Sequence, residues 1–182
     1  MKKNKFITEK KWKFAGQMAF FMLKKKNLNF GHHVPKTHKK GNGEMIFKPT
    51  KEMKIEILDS QKKQISSKEK IKAALQQTQA IAFDIYNQDK LVGFAMLREY
   101  APNEFFLWNF AIDKKYQNQG IGTKALANLI DFMKANYCCK KLTTTYKFGN
   151  DIAKRTYEKL GFITTNIVNE YDIHEVDMEL NF

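Results

Sequence analysis

Apolar residues between positions 45 and 182 recur with two different periods, and the switches between periods mark the elements. Ile81, Phe83 and Ile85 alternate with Ala82, Asp84 and Tyr86, a period of two that predicts a strand. Asn87, Gln88 and Asp89 supply the turn, and residues 91–97 return as a largely apolar strand, completing a hairpin. Residues 105–112 predict a third, aromatic-rich strand. Leu126, Leu129, Ile130, Met133 and Tyr137 then follow helical spacing along one face. Threonine-rich residues 142–146 read as a strand, residues 151–160 as a helix, and residues 162–168 and 174–180 as two closing strands. Ahead of the hairpin, residues 45–48 predict a short strand. Residues 51–60 and 68–77 are expected to be helical, the second with Ile71, Ala74 and Leu75 on one face. The order β, two helices, β, β, β, α, β, α, β, β contains no internal repeat. It predicts one mixed α/β domain, residues 44–182, with a central sheet flanked by helices.

Residues 1–43 follow another pattern and are expected to form a basic N-terminal extension and linker. Residues 14–23 (FAGQMAFFML) are an apolar run with lysines on both sides. A lysine triplet follows and no small-residue cleavage pattern appears, so a secretory signal is rejected. A helix there could dock on its own domain or lie on an anionic membrane surface; docking is the plainer reading. Residues 31–43, with three glycines and a proline, read as a linker. His32, His33 and His38 cluster in it without a carboxylate or cysteine, which fits a solvated loop better than a metal site.

Charge follows the same division. The net formal charge is +13, but residues 1–50 hold thirteen lysines and two glutamates, whereas residues 51–182 hold nineteen basic and seventeen acidic residues. The basicity therefore belongs to the N-terminal segment. Arg98 and Arg155 are the only arginines, which disfavours bidentate reading of guanine, and no nucleic-acid partner is expected. The lysine excess resembles the bias of an AT-rich bacterial genome. With 43% hydrophobic residues the chain can build a sizeable core. No apolar run approaches the ~18–20 residues of a membrane span, so insertion is not expected. Cys138 and Cys139 are adjacent, lack a CxxC spacing, and read as structural thiols of a reducing, cytoplasmic compartment.

Two segments carry chemistry. Gln117-Asn118-Gln119-Gly120-Ile121-Gly122 joins a predicted strand to a predicted helix. A helix N-terminus presents unpaired N–H groups and about half a positive charge, a ready site for phosphate. Gly120 and Gly122 permit close approach and unusual dihedrals. By itself a GxG also fits an ordinary strand-to-helix connection. The second segment is Tyr146-Lys147-Phe148-Gly149-Asn150, followed by Ala153, Tyr157 and Leu160-Gly161-Phe162. Asn150 can cap the next helix and Gly161 can end it. Positions 150, 153 and 157 share one helix face. Taken alone, they also fit a cap and a packed core tyrosine.

Together the two segments resemble the GCN5-related N-acetyltransferase (GNAT) superfamily. Its acetyl-coenzyme A loop, Gln/Arg-x-x-Gly-x-Gly/Ala, is matched by Gln117, Gly120 and Gly122. Its following helix is matched by Asn150, Ala153, Tyr157 and Leu160-Gly161-Phe162. The segments LWNFAIDKKYQNQGIG, YKFGN and YEKLGF look most like the bacterial spermine/spermidine (polyamine) acetyltransferase branch. The resemblance covers about residues 45–182; residues 1–43 have no counterpart, and the first helix after Lys48 looks shortened. It implies a mixed, mostly antiparallel sheet, acetyl-coenzyme A as co-substrate with no metal, and a small-molecule amine as acceptor. It leaves room for a homodimer.

The implied roles are specific. The backbone of Phe110, Ala111 and Ile112 would hold the pantetheine arm and polarise the thioester carbonyl. Backbone N–H groups of Gln117, Asn118, Gln119, Gly120, Ile121, Gly122 and Thr123 would hold the pyrophosphate. Asn150 would bind near the thioester, Ala153 would leave room, and Tyr157 would protonate the departing thiolate. A base is also required; Glu99 and Glu104 are candidates by position only, and each fits a solvated surface acid better. Glu170, Asp172, Glu175, Asp177 and Glu179 place five acids in ten residues without a Lys or Arg. That suits a polycationic acceptor or merely the polar face of the last strands. Acetylation of a protein or antibiotic amine, and a non-catalytic cofactor-binding regulatory module, are the competing expectations.

Overall fold

Hydrophobic alternation and helical spacing together fold residues 44–182 around one sheet. A computed structural model describes residues 44–76, 79–171 and 173–182. The N-terminal extension, with its apolar run and its histidines, lies outside the described residues, as does Asp172. The strands are β1 (Met45–Pro49), β2 (Ala80–Asn87), β3 (Lys90–Ala101), β4 (Glu104–Ile112), β5 (Lys141–Lys147), β6 (Ile163–Glu170) and β7 (Ile173–Asn181). The helices are α1 (Lys68–Ala74), α2 (Ile121–Tyr137) and α3 (Asp151–Lys159), and 3-10 turns occupy Asp59–Gln61 and Lys114–Tyr116. No helix among the described residues is long and apolar enough to cross a membrane.

The sheet runs β1-β2-β3-β4-β5-β7-β6. Every neighbouring pair is antiparallel except β4 and β5, whose parallel pairing requires a crossover, and α2 supplies it. On one face, fully buried Leu126, Leu129 and Met133 of α2 and Tyr157 of α3 pack over Phe83, Leu97, Leu142 and Met178. Such side chains contribute ~1.5–3 kcal/mol each by leaving water. On the other face Met53, Ile55, Ile71 and Ala74 cover Ala82, Phe94, Met96 and Ala111.

Residues 51–60, expected as a helix, are instead an irregular segment ending in the first 3-10 turn. The reason is a period of two: Met53 and Ile55 are buried and Ile57 partly so, all against the same second core. Helix α1 begins where expected, with the Ser67 side chain accepting from the Lys70 N–H, and ends at Ala74, short of residue 77.

Strand β4 carries the feature that shapes the site. It faces β5 only from Glu104 to Leu107, opposite Lys141 to Thr144. Beyond that, residues 108–112 stay with β3 and residues 145–147 stay with β7, so the sheet opens into a fork. A bulge marks the opening: Leu97 faces Leu107 and Met96 faces Asn109, leaving Trp108 as the extra residue. Phe105 and Leu107 point to the α2 side before the bulge, and Phe110 and Ile112 do so after it. Ala111 is thereby turned to the other core.

Candidate active site

The first arm of the fork leads from β4 into the glycine loop. Asp113 anchors the turn: its Oδ1 accepts from the Lys115 N–H at 2.9 Å and its Oδ2 from the Glu56 N–H at 3.0 Å. Burial works against this carboxylate, yet the two backbone donors and the adjacent lysines hold it below its ordinary range. Gln117 Nε2 donates to the Ile112 carbonyl and to Gln61 Oε1, both at 2.8 Å, and Gln119 Nε2 donates to the Lys115 carbonyl at 3.1 Å. The side chains of Gln117 and Gln119 thus brace the loop. Asn118 and Gly120 adopt left-handed φ values of 59° and 73°, and Gly120 is the N-cap of α2 without a side-chain cap. The Lys124 N–H reaches the Gly120 carbonyl at 3.3 Å, so the N–H groups of Ile121, Gly122 and Thr123 precede the helical ladder. A Cβ built on Gly120 meets no atom within 4 Å. The loop is therefore an open cradle at a helix N-terminus.

Strand alternation decides which β4 amides face the fork. The Asp113 N–H bonds to the Val92 carbonyl of β3 at 2.9 Å. Two residues back, the peptide groups of Ala111 face β3 as well, and those of Phe110 and Ile112 face the fork. Of the three expected backbone positions, Phe110 and Ile112 thus turn to the fork, whereas the Ala111 peptide groups are taken up by β3.

The second arm brings Tyr157 to the crotch. Thr144, the last β5 residue opposite β4, donates its hydroxyl to the Leu107 carbonyl at 3.2 Å. Its oxygen is 3.5 Å from the Tyr157 hydroxyl. Tyr157 is 8% exposed, and its ring packs on Phe162 and Tyr146 at centroid distances of 5.3 and 6.5 Å. Burial pushes its phenol above the ordinary value. Asn150 caps α3, its Oδ1 accepting from the Ala153 N–H at 3.1 Å, while its Nδ2 donates to Gln64 Oε1 at 2.7 Å. Ala153 is half-buried against the core shared with Tyr157.

Gln61 and Gln64 are site residues that sequence reasoning missed. With the Ser66 N–H, which donates to Asn109 Oδ1 at 2.9 Å, they tie residues 61–66 to both arms of the fork. No motif announces them, because a glutamine in a polar loop is unremarkable without its distant partner.

The expected acids divide. Glu99 accepts from the Asn103 N–H at 3.0 Å, and Glu104 opens the paired stretch of β4, so both sit at the closed end of the fork. In β7, Val176 and Met178 turn to the helical core, and Glu175, Asp177 and Glu179 line the opposite face. Glu170 lies at the far end of β6, opposite Ile173.

Comparison with known proteins places these features in a family. The model of the acetyltransferase (GNAT) family matches residues 50–162. A probable spermine N(1)-acetyltransferase of Bacillus subtilis subsp. natto is 36% identical over 85 residues, covering 43% of this chain and 56% of that protein. The chain thus spans about half the length of that relative. The [ribosomal protein bS18]-alanine N-acetyltransferase of Escherichia coli K12 is 31% identical over 103 residues, 57% of this chain and 68% of the relative. Among solved structures, a GNAT family acetyltransferase from Elizabethkingia anophelis with acetyl-CoA bound superposes with a TM-score of 0.58 at 21% identity, covering 79% of this chain and all of the other, a likeness of fold.

Proposed function

Because the chain belongs to the acetyltransferase (GNAT) family, we propose that it moves an acetyl group from acetyl-coenzyme A directly to a primary amine, a polyamine such as spermidine or spermine. The observation that carries this reading is the fork, with an open helix N-terminus at its mouth and a buried phenol at its crotch. Acetyl-coenzyme A would supply the thioester. The N–H groups of Ile121, Gly122 and Thr123, with the loop backbone from Gln117, would hold its pyrophosphate, and the clear space over Gly120 fits such a group. The Phe110 and Ile112 amides would face the pantetheine arm and the carbonyl oxygen, where fixed donors stabilise developing negative charge. Ala153 leaves room along the arm. Asn150 orders the start of α3 and so sets the position of Tyr157. The Tyr157 phenol, kept protonated by burial, would give its proton to the leaving sulfur.

The acceptor is read from charge. Residues two apart in a strand are ~7 Å apart. Glu175, Asp177 and Glu179 therefore form a carboxylate row whose spacing suits amines joined by three or four methylenes. The likeness to the Bacillus spermine enzyme supports the same choice, and the E. coli relative makes a protein α-amine the alternative. Two free cysteines among the described residues suit a cytoplasmic setting. A thiol-release assay with acetyl-coenzyme A against polyamines, amino acids, aminoglycosides and peptides tests the reading. Spermidine or spermine is expected to give the fastest release. Release with none of these amines, despite bound acetyl-coenzyme A, would refute it.

A further inference from the structure

Acetyl transfer to an amine needs a group that removes a proton on the acceptor side, and the closed-end acids Glu99 and Glu104 do not reach the opening. Strand β5 points to another. Thr144 and Thr145 are consecutive, so their side chains leave opposite faces of the sheet. They stand where the fork opens, Thr144 being the last residue opposite β4. On one face the Thr144 oxygen is 3.5 Å from the Tyr157 hydroxyl. On the other the Thr145 hydroxyl donates to Asp177 Oδ1 at 2.8 Å. Asp177 Oδ2 accepts from Asn166 Nδ2 at 3.2 Å, so one neighbour on each flanking strand orients the half-buried carboxylate.

We propose that Asp177 is a catalytic residue that draws the acceptor ammonium to the fork and takes its proton, with Thr145 as its positioning residue. This rests on the acetyl-transfer reading above. The acceptor nitrogen gives one proton to Asp177 as its lone pair forms the C–N bond to the thioester carbonyl carbon. The C–S bond breaks, and the sulfur takes the Tyr157 proton. The nitrogen's second proton returns to the Tyr157 oxygen, and Asp177 releases its own to water. The sum is ammonium plus thioester giving amide, thiol and one proton. Acid and base thus act from opposite faces of one strand.

The surrounding charges single out Asp177. Glu179 lies two residues nearer the closed end, opposite Thr143, with Lys141 Nζ at 3.8 Å. Glu175 lies at the β5 terminus, opposite Lys147. From β6, the register neighbours Asn166 and Val168 are uncharged. From β3, the Tyr100 phenol is raised chiefly by burial, and the groups that act on it are Thr143, Glu104 and Glu179, not Asp177.

The test uses the full chain, calorimetric acetyl-coenzyme A binding, and turnover of spermidine from pH 6 to 10. Asp177→Asn keeps an oxygen for the Thr145 hydroxyl and removes the base. Its acetyl-coenzyme A affinity is expected to match wild type, with turnover at neutral pH down ~10²–10⁴-fold. The deficit should shrink as pH approaches the acceptor's own value near ~10, because the amine is then free in solution. Asp177→Glu should recover part of the activity, and Thr145→Val should lose a smaller factor with the same pH dependence. Wild-type turnover in Asp177→Asn, or an equal loss at every pH, overturns the assignment. Should Asp177→Asn fail to fold, Thr145→Val with an unchanged pH profile overturns it instead. A wild-type protein that binds acetyl-coenzyme A but acetylates no amine overturns the acetyl-transfer reading itself, and this inference with it.

Discussion

Replacing Tyr157 with phenylalanine separates chemistry from packing because the two effects differ greatly in size. The phenol oxygen lies 3.5 Å from Thr144 Oγ1, beyond the ~2.5–3.0 Å of a well-formed hydroxyl pair. A well-formed bond would contribute about 1 kcal/mol net, so this one contributes less. Thr144 loses little, since its hydroxyl still reaches the Leu107 carbonyl at 3.2 Å. The ring remains against Phe162 and Tyr146. For a domain of this size 1 kcal/mol shifts the melting temperature by ~2–4 °C, so a smaller shift is expected. Loss of the acid should lower turnover by ~10²–10⁴, equivalent to about 3–5 kcal/mol of barrier. Thermal melting, acetyl-coenzyme A binding and thiol release on one preparation give all three quantities. Wild-type turnover in Tyr157→Phe would return the residue to a packing role. A melting point lowered by ten degrees or more would show that the hydroxyl holds the fold together, and would refute the energetic argument itself.

In Gly120→Val the added Cβ meets no atom within 4 Å, so the chief cost to the fold is the left-handed backbone, about 1–2 kcal/mol or somewhat more for a branched side chain. Its acetyl-coenzyme A dissociation constant should rise by about tenfold or more; a folded variant with unchanged affinity would remove the loop from the site. At Gly93 a Cβ would lie 2.9 Å from both the Ala111 carbonyl and Ile112 Cδ1, so Gly93→Ala should displace the β4 arm, lose ~1–3 kcal/mol in urea unfolding and weaken acetyl-coenzyme A binding. Unchanged stability and binding would contradict that packing. Cys138 is exposed, and burial pushes the Cys139 thiol up to about 11, so a thiol reagent at pH 8 should titrate one cysteine rapidly and the second on denaturation. Two fast thiols in the native protein would contradict the burial of Cys139. Burial also raises Tyr137 and Tyr157, so the folded state holds these protons and that of Cys139 more tightly than the unfolded chain. Their contribution to stability is full below the unfolded values, about 8.5 for cysteine and about 10 for tyrosine, and is lost as pH rises through the folded ones. The urea midpoint should fall between pH 9 and 11; a constant midpoint would refute the sign.

What could be read from sequence follows the range of the interactions. Strands β2 to β5 and helices α2 and α3 announce themselves because each repeats its own period with turn residues between, as in the Asn87-Gln88-Asp89 connection. The same rule explains the failure over residues 51–60. Charged residues between Met53, Ile55 and Ile57 suggest a helix, yet the alternation is that of an extended chain, and burial of Met53 and Ile55 on the sheet decides it. Helix α1 shows the weaker half of end prediction: Ser67 marks its start, and no glycine marks its stop. The glycine loop and the Asn150–Tyr157 helix are legible for a different reason: each alone fits an ordinary connection, a cap or a packed tyrosine, and only their joint resemblance to the GNAT pattern marks a site.

The geometry that joins those motifs is of longer range. The fork exists because β4 follows β3 for its whole length and β5 for only part of it, a competition between two pairings that no local pattern records. The bulge at Trp108 then reverses parity, so that Leu107 and Ile112 share a face although five residues separate them, while Ala111 is turned to the second core. The ties across the opening join residues 43, 56 and 86 positions apart through Ser66–Asn109, Gln61–Gln117 and Gln64–Asn150. Amides suit this duty because each offers donor and acceptor together without the desolvation cost of a charge. The proposed acid and base obey the same logic at shorter range. Two successive threonines, unremarkable as β-formers in sequence, become informative once the end of parallel pairing places them at the opening, one turned to a phenol and the other to a carboxylate.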